Sequence, residues 1–341
     1  MLVVDRAGIG AGASGRNGGF LFRQPAGWIN ELLTESVSIY QEIGVQLQPW
    51  PMLVLAVEEE ELPAARAYAD AVGGEEIDLR DDPWFADDLA GGFVVEEGYI
   101  VDAMGATVAM AEAARQAGAE FRLHCEAKQL FVDKGRVRGV LTDAGRIACD
   151  RVVIATGPRL RFLLRTVGLD LPVTATRGWL LETGRVDPPP RYAVEQALWP
   201  LQDAMGALVG APTLSEVAEG ASEEPGIVSL LLGGRPAGHC LIGTSLSRSL
   251  LEEPEGPETV RRLAERAVRV SPALRDVPVV AAWSGRRALS PDGLPAVGPT
   301  PGVEGVDVVG AFSSIGMVTI PAACRRLVHG GAELFDPGRL L

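Results

Sequence analysis

The chain of 341 residues contains few of the side chains that bind metals or form disulfides, with three histidines and four cysteines. The cysteines lie far apart and form no C-x-x-C pair, whereas a zinc site or a disulfide framework needs close, repeated spacing. The histidines are equally scattered. We therefore expect no metal site, and we expect four reduced thiols in a cytoplasmic protein.

Long apolar runs and an excess of positive charge are also missing. No segment approaches the roughly 18 apolar residues of a membrane-spanning helix. Asp5 and Arg6 interrupt the N-terminal apolar run at once, which argues against a signal peptide. The net charge of −14 repels phosphate backbones and anionic lipids. We therefore expect neither nucleic acid as a partner nor a membrane span.

Hydrophobic residues make up 47% of the sequence, which is enough for a sizeable core and two domains. A strand-like run at 52–57 precedes a helical pattern at 58–72. Asp102 opens a second helix that Gly118 is suited to end, and several short strands follow it. This alternation predicts mixed α/β structure.

The middle of the chain, 171–285, has a different pattern of short strands followed by a helix at 257–270. It predicts a strand-rich second domain. The C-terminal part returns to strand, glycine turn and helix. We expect that helix to start after Gly316 and to tolerate Pro321 only near its first turn.

The opening stretch MLVVDRAGIGAGASGRNGG allows two interpretations. Gly8, Gly10 and Ala13 satisfy the G-x-G-x-x-G/A spacing of a dinucleotide-binding turn. Such a turn needs a strand leading directly into the glycines, a long helix after them and an acid on the next strand. Here the acid comes first and no amphipathic helix follows. We therefore favour the other interpretation, in which Asp5 ends a second strand and accepts hydrogen bonds from a ribose.

In that order, Asp5-Arg6 followed by GIGAGASGRNGG resembles the FAD-dependent amino-acid oxidoreductases of the D-amino-acid oxidase, glycine oxidase and sarcosine oxidase group. In that family a Ser-Gly-Arg-Asn loop after the second strand runs along the pyrophosphate toward the flavin. The resemblance implies cofactor contacts here from Asp5, Arg6, Ser14, Gly15, Arg16, Asn17 and Gly18. Arginine and backbone N–H groups suit this role because they offset diphosphate charge.

Two later motifs agree with the resemblance. RVVIATGP (151–158) is similar to the family's strand and turn beside the flavin, although the same pattern is typical of any strand followed by a turn. WSGRRALSPDGLPAVGP (283–299) and the following VVGAFSSIGMVTIPA are similar to R-x-x-[ST]-x-D-G-x-P-x-[IV]-G and a glycine-flanked flavin loop. The residues that these motifs imply for the cofactor are Thr156, Gly157, Gly310, Ser313, Ser314, Ile315, Gly316 and Met317.

Arg287 falls where family members place the arginine that binds the substrate carboxylate. A carboxylate beside an apolar flavin face needs a planar, bidentate cation. Arg286 is adjacent, and either arginine is also compatible with a plain surface charge. We favour Arg287 as the residue that contacts the substrate.

The resemblance implies an α/β fold with an FAD-binding Rossmann-like domain and an interleaved, strand-rich α+β substrate domain. The first comprises residues 1–45, 101–170 and 286–341, and the second comprises 46–100 and 171–285. Because 283–299 lacks the cysteine that attaches flavin in some relatives, we expect non-covalent FAD. The implied reaction oxidises the C–N bond of a small amino or imino acid by hydride transfer from the α-carbon to flavin N5, leaving an imine.

If Asp5 ends the second strand, the first strand and its G-x-G-x-x-G turn are expected before residue 1. We favour a start at an internal Met over a shortened protein, because the other residues expected to contact FAD are all suited to that role. The alternative hypothesis is a flavin-poor or inactive subunit that works with a partner chain. It is consistent with a narrower likeness to subunits of the opine oxidase, hydrogen cyanide synthase and hydroxyproline dehydrogenase type. An NAD(P)-dependent dehydrogenase that uses the opening loop is a third, weaker hypothesis.

Overall fold

The computed structural model describes residues 1–80, 82–197, 227–235, 237–248 and 257–341. Its helices in chain order are α1 (Ala13–Arg16), α2 (Gly27–Glu42), α3 (Leu62–Val72), α4 (Ala103–Gln116), α5 (Leu160–Arg165), α6 (Pro257–Val270) and α7 (Gly316–His329). Its strands in chain order are β1 (Leu2–Asp5), β2 (Phe20–Phe22), β3 (Gln48–Pro49), β4 (Met52–Ala56), β5 (Glu75–Ile77), β6 (Gly91–Val95), β7 (Gly98–Ile100), β8 (Glu120–Leu123), β9 (Ala127–Asp133), β10 (Arg136–Thr142), β11 (Gly145–Ala148), β12 (Val152–Ile154), β13 (Thr174–Arg185), β14 (Ala193–Gln196), β15 (Ile227–Gly234), β16 (His239–Arg248), β17 (Val279–Leu289), β18 (Ala296–Pro299) and β19 (Val306–Gly310).

The largest sheet has eight strands in the order β17-β13-β16-β15-β14-β4-β6-β5. Its pairs are antiparallel except for β14 with β4. Helix α6 covers one face because Leu263, Ala267 and Val270 recur at helical spacing and are all buried. Helix α3 packs on the other face, at the β4 and β6 side, through Ala65 and Ala69. This sheet is the core of the predicted substrate domain, of which 198–226 and 249–256 lie outside the described residues.

The parallel strands of the Rossmann-like part form two separate sheets, β1-β8 and β12-β19-β18, in which β18 is antiparallel to β19. Within the described residues no strand joins β1 to β12. Helix α4 begins as predicted, since the carboxylate of Asp102 accepts a hydrogen bond from the Met104 N–H at 3.1 Å. Gly118 lies just beyond its end with a φ of 86°, the left-handed conformation that favours glycine. The α/β fold class is therefore confirmed.

Helix α7 starts at Gly316 as expected, but Pro321 lies inside it and not near its first turn. The expectation about Pro321 was wrong, and Tyr40 shows why the position is tolerated. Proline has no N–H, so the carbonyl of Met317, four residues earlier, loses its intrahelical donor. The Tyr40 hydroxyl on α2 donates to that carbonyl at 3.0 Å. Burial raises the pKa of Tyr40, so it stays a neutral donor.

Replacing Tyr40 with phenylalanine is therefore expected to destabilise the protein by about 1–3 kcal/mol, because the partly buried Met317 carbonyl loses the hydrogen bond from the Tyr40 hydroxyl. The measurement is urea unfolding followed by circular dichroism, with Tyr99→Phe as the control. The Tyr99 hydroxyl forms no hydrogen bond within the described part of the chain. Equal stability losses in the two variants would contradict the role assigned to Tyr40.

Strand β17 crosses the predicted domain boundary between residues 285 and 286. It pairs with β13 along its whole length, from Val279 to Leu289. Arg287 therefore stands on a strand of the eight-stranded sheet and immediately precedes the segment that returns to the Rossmann-like part. The predicted partition into domains stays a prediction.

Candidate functional site

The predicted cofactor segments all follow the carboxyl ends of parallel strands. Asp5 ends β1, Thr156 comes two residues after β12, and Gly310 ends β19. In open α/β sheets this edge is where nucleotides and other ligands bind. These three segments lie far apart in the sequence, and each of them begins where a parallel strand ends.

The glycine loop after β1 is not a dinucleotide fingerprint. The helix that follows it, α1, is a single turn of four residues, whereas a pyrophosphate turn leads into a full helix. One carboxylate oxygen of Asp5 accepts from the Ala7 N–H at 2.8 Å and holds the start of the loop. Gly10 has a φ of 72°, which is why glycine is needed there.

Asn17 shapes the end of this loop. Its amide donates to the carbonyls of Ala13 and Ser14 at 3.0 and 2.8 Å, and its oxygen accepts from the Gly19 N–H at 2.8 Å. Thr107 on α4 donates to the Ser14 carbonyl at 3.1 Å and fixes the loop to the Rossmann-like part. These side-chain bonds of Asn17 are all local, so they hold the loop in shape.

The loop after β19 carries backbone strain and an unpaired polar atom. Ala311 and Ser313 have φ values of 59° and 48°, which non-glycine residues rarely adopt outside functional sites. The Ser313 N–H donates to the Ala288 carbonyl on β17 at 3.0 Å. Its hydroxyl oxygen is buried without a hydrogen-bond partner in the described residues. A buried hydroxyl left free in this way is suited to a polar group of a ligand.

Strand β17 contacts all three cofactor segments. The Trp283 indole N–H donates to the Arg16 carbonyl at 3.0 Å, and the Arg16 guanidinium reaches the Ser284 carbonyl at 3.4 Å. The turn at Gly157–Arg159 also lies against β17, and the loop after β19 bonds to it through Ser313. The strand that carries Arg287 is therefore the common neighbour of the cofactor segments.

The two adjacent arginines lie on opposite faces of β17, since successive side chains of a strand alternate. Trp283 and Gly285, which both contact Arg16, share their face with Arg287. Arg286 lies on the other face, opposite Arg177 of β13. The structure thus separates two residues that the sequence left as alternatives, and it places Arg287 on the same face of β17 as the residues that contact Arg16.

Arg287 has no acidic partner among the described residues. Its two terminal nitrogens donate to neutral oxygens, the Ser245 carbonyl at 3.0 Å and the Thr244 hydroxyl at 2.7 Å. Desolvation lowers the pKa of Arg287 to about 10, so the guanidinium is still charged at neutral pH. A partly buried cation without a counter-ion carries an electrostatic cost that an incoming carboxylate would reduce.

The other predicted residues are distributed along the same edge. The exposed residues are Asp5, Arg6, Ser14, Arg16, Thr156 and Ser314. The half-buried residues are Gly15, Asn17, Gly18, Gly157, Ser313, Ile315, Gly316 and Met317. Gly310 is buried. Met317 packs on Tyr40 of α2. Gly310 lies against Leu160, which a side chain at 310 would contact at 2.8 Å.

Thr244, Ser245 and Gly178 were missed by the sequence analysis. They lie on β16 and β13, far from Arg287 in the chain. Only the strand order of the sheet brings them to it, so no local motif could have identified them. Trp283 belongs to the quoted C-terminal motif, but its bond to Arg16 likewise depends on the tertiary structure.

The sequence matches the model of one family, the FAD dependent oxidoreductases, over residues 1–329. The chain belongs to this family. It is 31% identical over 219 residues to glycine oxidase from Pseudomonas putida, covering 63% of this chain and 52% of that protein. It is 28% identical over 201 residues to hydrogen cyanide synthase subunit HcnC from Pseudomonas protegens, covering 58% and 41%. The chain therefore spans about half the length of the curated relatives it matches.

The fold agrees with this family. Glycine oxidase from Geobacillus kaustophilus superposes with a TM-score of 0.80 at 22% identity, covering 100% of this chain and 91% of that chain. The predicted membership of an FAD-dependent oxidoreductase family is confirmed. All four cysteines are free. No helix in the described ranges has the length and apolar character needed to cross a membrane, and none of their acidic, histidine and cysteine side chains cluster in a way that could hold a metal ion.

The residues present fit FAD. The edge offers an exposed acid at the end of β1, an exposed arginine on the glycine loop, and the buried, unpaired hydroxyl of Ser313. The N-terminus of α7 follows that hydroxyl and adds free backbone N–H groups. Acid, cation and amide donors are what the ribose, diphosphate and ring edge of the cofactor need.

Proposed function

We propose that the protein oxidises the C–N bond of a small amino or imino acid and that Arg287 binds the substrate's carboxylate. The observation that carries this is the partly buried guanidinium of Arg287, which has only neutral partners among the described residues and extends from the face of β17 that contacts Arg16. A carboxylate there gains charge-assisted hydrogen bonds without displacing an existing ion pair.

Different residues of the chain bind the cofactor and the substrate. Asp5, Arg16 and the loop from Gly310 to Met317 hold non-covalent FAD. Arg287 fixes the substrate by its carboxylate, and this orients the α-carbon. Bound FAD supplies a two-electron acceptor for the hydride that leaves the α-carbon. The substrate's C–N single bond becomes the C=N double bond of an imine as the α-carbon gives up the hydride and the nitrogen loses a proton. Water then hydrolyses the imine to an oxo acid and ammonia or, where the nitrogen carries a substituent, an amine.

The size of the substrate is part of the proposal. Relatives named for glycine oxidation support a small amino acid, and the free thiols are consistent with the reducing cytoplasm. HcnC is named as a subunit of a synthase, so a partner chain belongs among the hypotheses to be tested.

The test is to load the purified protein with FAD and mix it anaerobically with glycine, N-methylglycine, both alanines and both prolines. We expect at least one of them to bleach the yellow flavin absorbance and to release an oxo acid. Methylamine and ethylamine, which lack the carboxylate, are the matched controls and should leave the absorbance unchanged.

Two outcomes would contradict the proposal. Equal bleaching by the amines would show that the substrate needs no carboxylate and that Arg287 does not bind one. A protein that binds no FAD alone, but gains flavin when a partner chain is co-expressed, would favour the flavin-poor subunit instead.

A further inference from the structure

The side chain of Arg287 crosses one strand of the large sheet, β13. It leaves β17 opposite Thr176 of β13, and its terminal nitrogens end at Thr244 and Ser245 of β16. Because β13 lies between β17 and β16, the guanidinium must pass over β13. The residue it passes is Gly178, two positions beyond Thr176 and on the same face.

Gly178 leaves the space that this path needs. A Cβ at residue 178 would lie 2.0 Å from one terminal nitrogen of Arg287, 2.7 Å from the other and 2.6 Å from the Cζ between them. The guanidinium therefore rests directly on the backbone of β13. Gly178 is buried, and its φ lies outside the left-handed region. Its requirement for glycine is thus spatial, since any residue could adopt its backbone conformation.

Thr244 determines how the guanidinium is turned in that space. Its hydroxyl accepts from one terminal nitrogen, while the Ser245 carbonyl accepts from the other. The hydroxyl in turn contacts the Ser245 carbonyl at 3.3 Å. Two neutral acceptors on one edge fix the plane of the group and leave its charge uncompensated. The N–H groups that they do not use have no acceptor in the described residues.

We propose that Gly178 and Thr244 are positioning residues for the carboxylate site. Gly178 lets the Arg287 guanidinium lie flat on the sheet, and Thr244 turns its unbonded N–H groups toward the substrate carboxylate. The inference rests on the proposed function, because it assumes that Arg287 binds a carboxylate. A side chain at 178 lifts the guanidinium from the sheet, and a displacement of about 1 Å is enough to weaken an oriented site up to 100-fold.

The test compares Gly178→Ala, Thr244→Val and Thr244→Ser in the FAD-loaded protein. The first readout is the Kd of glycolate by calorimetry, because glycolate carries the carboxylate but has no C–N bond to oxidise. The second is KM and kcat for glycine. We expect Gly178→Ala and Thr244→Val to raise the glycolate Kd and the KM about 10- to 100-fold with a smaller change in kcat, and Thr244→Ser to restore most of the affinity.

A double-mutant cycle separates positioning from general damage to the fold. In an Arg287→Ala background, Gly178→Ala should cause no further loss of glycolate affinity, because the residue acts only through Arg287. An equal loss in both backgrounds, or a fall in kcat with KM unchanged, would overturn the inference.

The same data distinguish the two levels of the proposal. If Arg287→Ala weakens glycolate binding and Gly178→Ala does not, the positioning inference fails and the carboxylate role stands. If wild-type protein binds no glycolate, or Arg287→Ala binds it normally, both fail.

Discussion

Replacing Arg287 with alanine is expected to lower kcat/KM for an amino-acid substrate by roughly 30- to 1000-fold, mostly through KM. The variant removes the only cation that the described residues place without an acidic partner on the face of β17 beside Arg16. Loss of one partner from a desolvated, hydrogen-bonded charge pair costs about 2–4 kcal/mol, which corresponds to that range. The measurement is steady-state oxidation of the best substrate from the flavin-bleaching panel.

Arg286→Ala is the matched control, because it removes the same side chain from the next position on the opposite face. We expect its KM to stay within about threefold of wild type, because Arg286 points away from the face of β17 that contacts Arg16. Arg287→Lys keeps the charge but loses the planar fork, and should fall between wild type and Arg287→Ala. If Arg287→Ala had a normal KM while Arg286→Ala did not, the choice between the two arginines would be reversed.

That choice shows how far the sequence alone could go. The motif around Arg287 favoured this residue over Arg286 as the carboxylate-binding arginine, but the sequence could not show which of the two faces the cofactor loop. The register with β13 shows that Arg287, and not Arg286, shares a face with Trp283. Thr244 and Gly178 had no sequence signal, since their role exists only once β16, β13 and β17 are adjacent.

Sequence patterns predicted those features that depend on residues close together in the chain, such as helix ends and the apolar face of a helix. Asp102 and Gly118 predicted the start and end of α4, and the apolar spacing at 257–270 predicted α6. The prediction about Pro321 was wrong because the sequence shows that proline lacks an N–H but does not show which group replaces it as a hydrogen-bond donor. The donor to the Met317 carbonyl is the Tyr40 hydroxyl, which belongs to a helix far away in the chain.

Gly15 is the position in the cofactor loop where a single methyl group is expected to do the most damage. A Cβ there would lie 2.3 Å from the Gly10 carbonyl oxygen and 2.9 Å from the Gly10 Cα. Both atoms belong to the backbone, and Gly10 is buried with a φ of 72°, so the clash cannot be relieved by a side-chain rotation. Overpacking of this kind costs about 1–3 kcal/mol.

We therefore expect Gly15→Ala to raise the Kd of FAD roughly 5- to 150-fold, because the loop conformation that binds the cofactor is strained by that amount of free energy in the variant. The measurement is FAD titration followed by flavin fluorescence. Circular dichroism of the FAD-free variant, recorded before the titration, checks that it is folded, and this separates loop distortion from unfolding.

Gly27→Ala is the control for the glycine substitution itself. Gly27 opens α2, its Cβ would meet no atom within 4 Å, and its backbone is not left-handed. FAD affinity should be unchanged in that variant. Adding Met104→Ala to Gly15→Ala removes the third clashing atom, the methyl group of Met104 at 2.7 Å, but leaves the backbone contacts. Full recovery of FAD affinity in the double variant would show that the side chain, and not the Gly10 backbone, sets the requirement for glycine at 15.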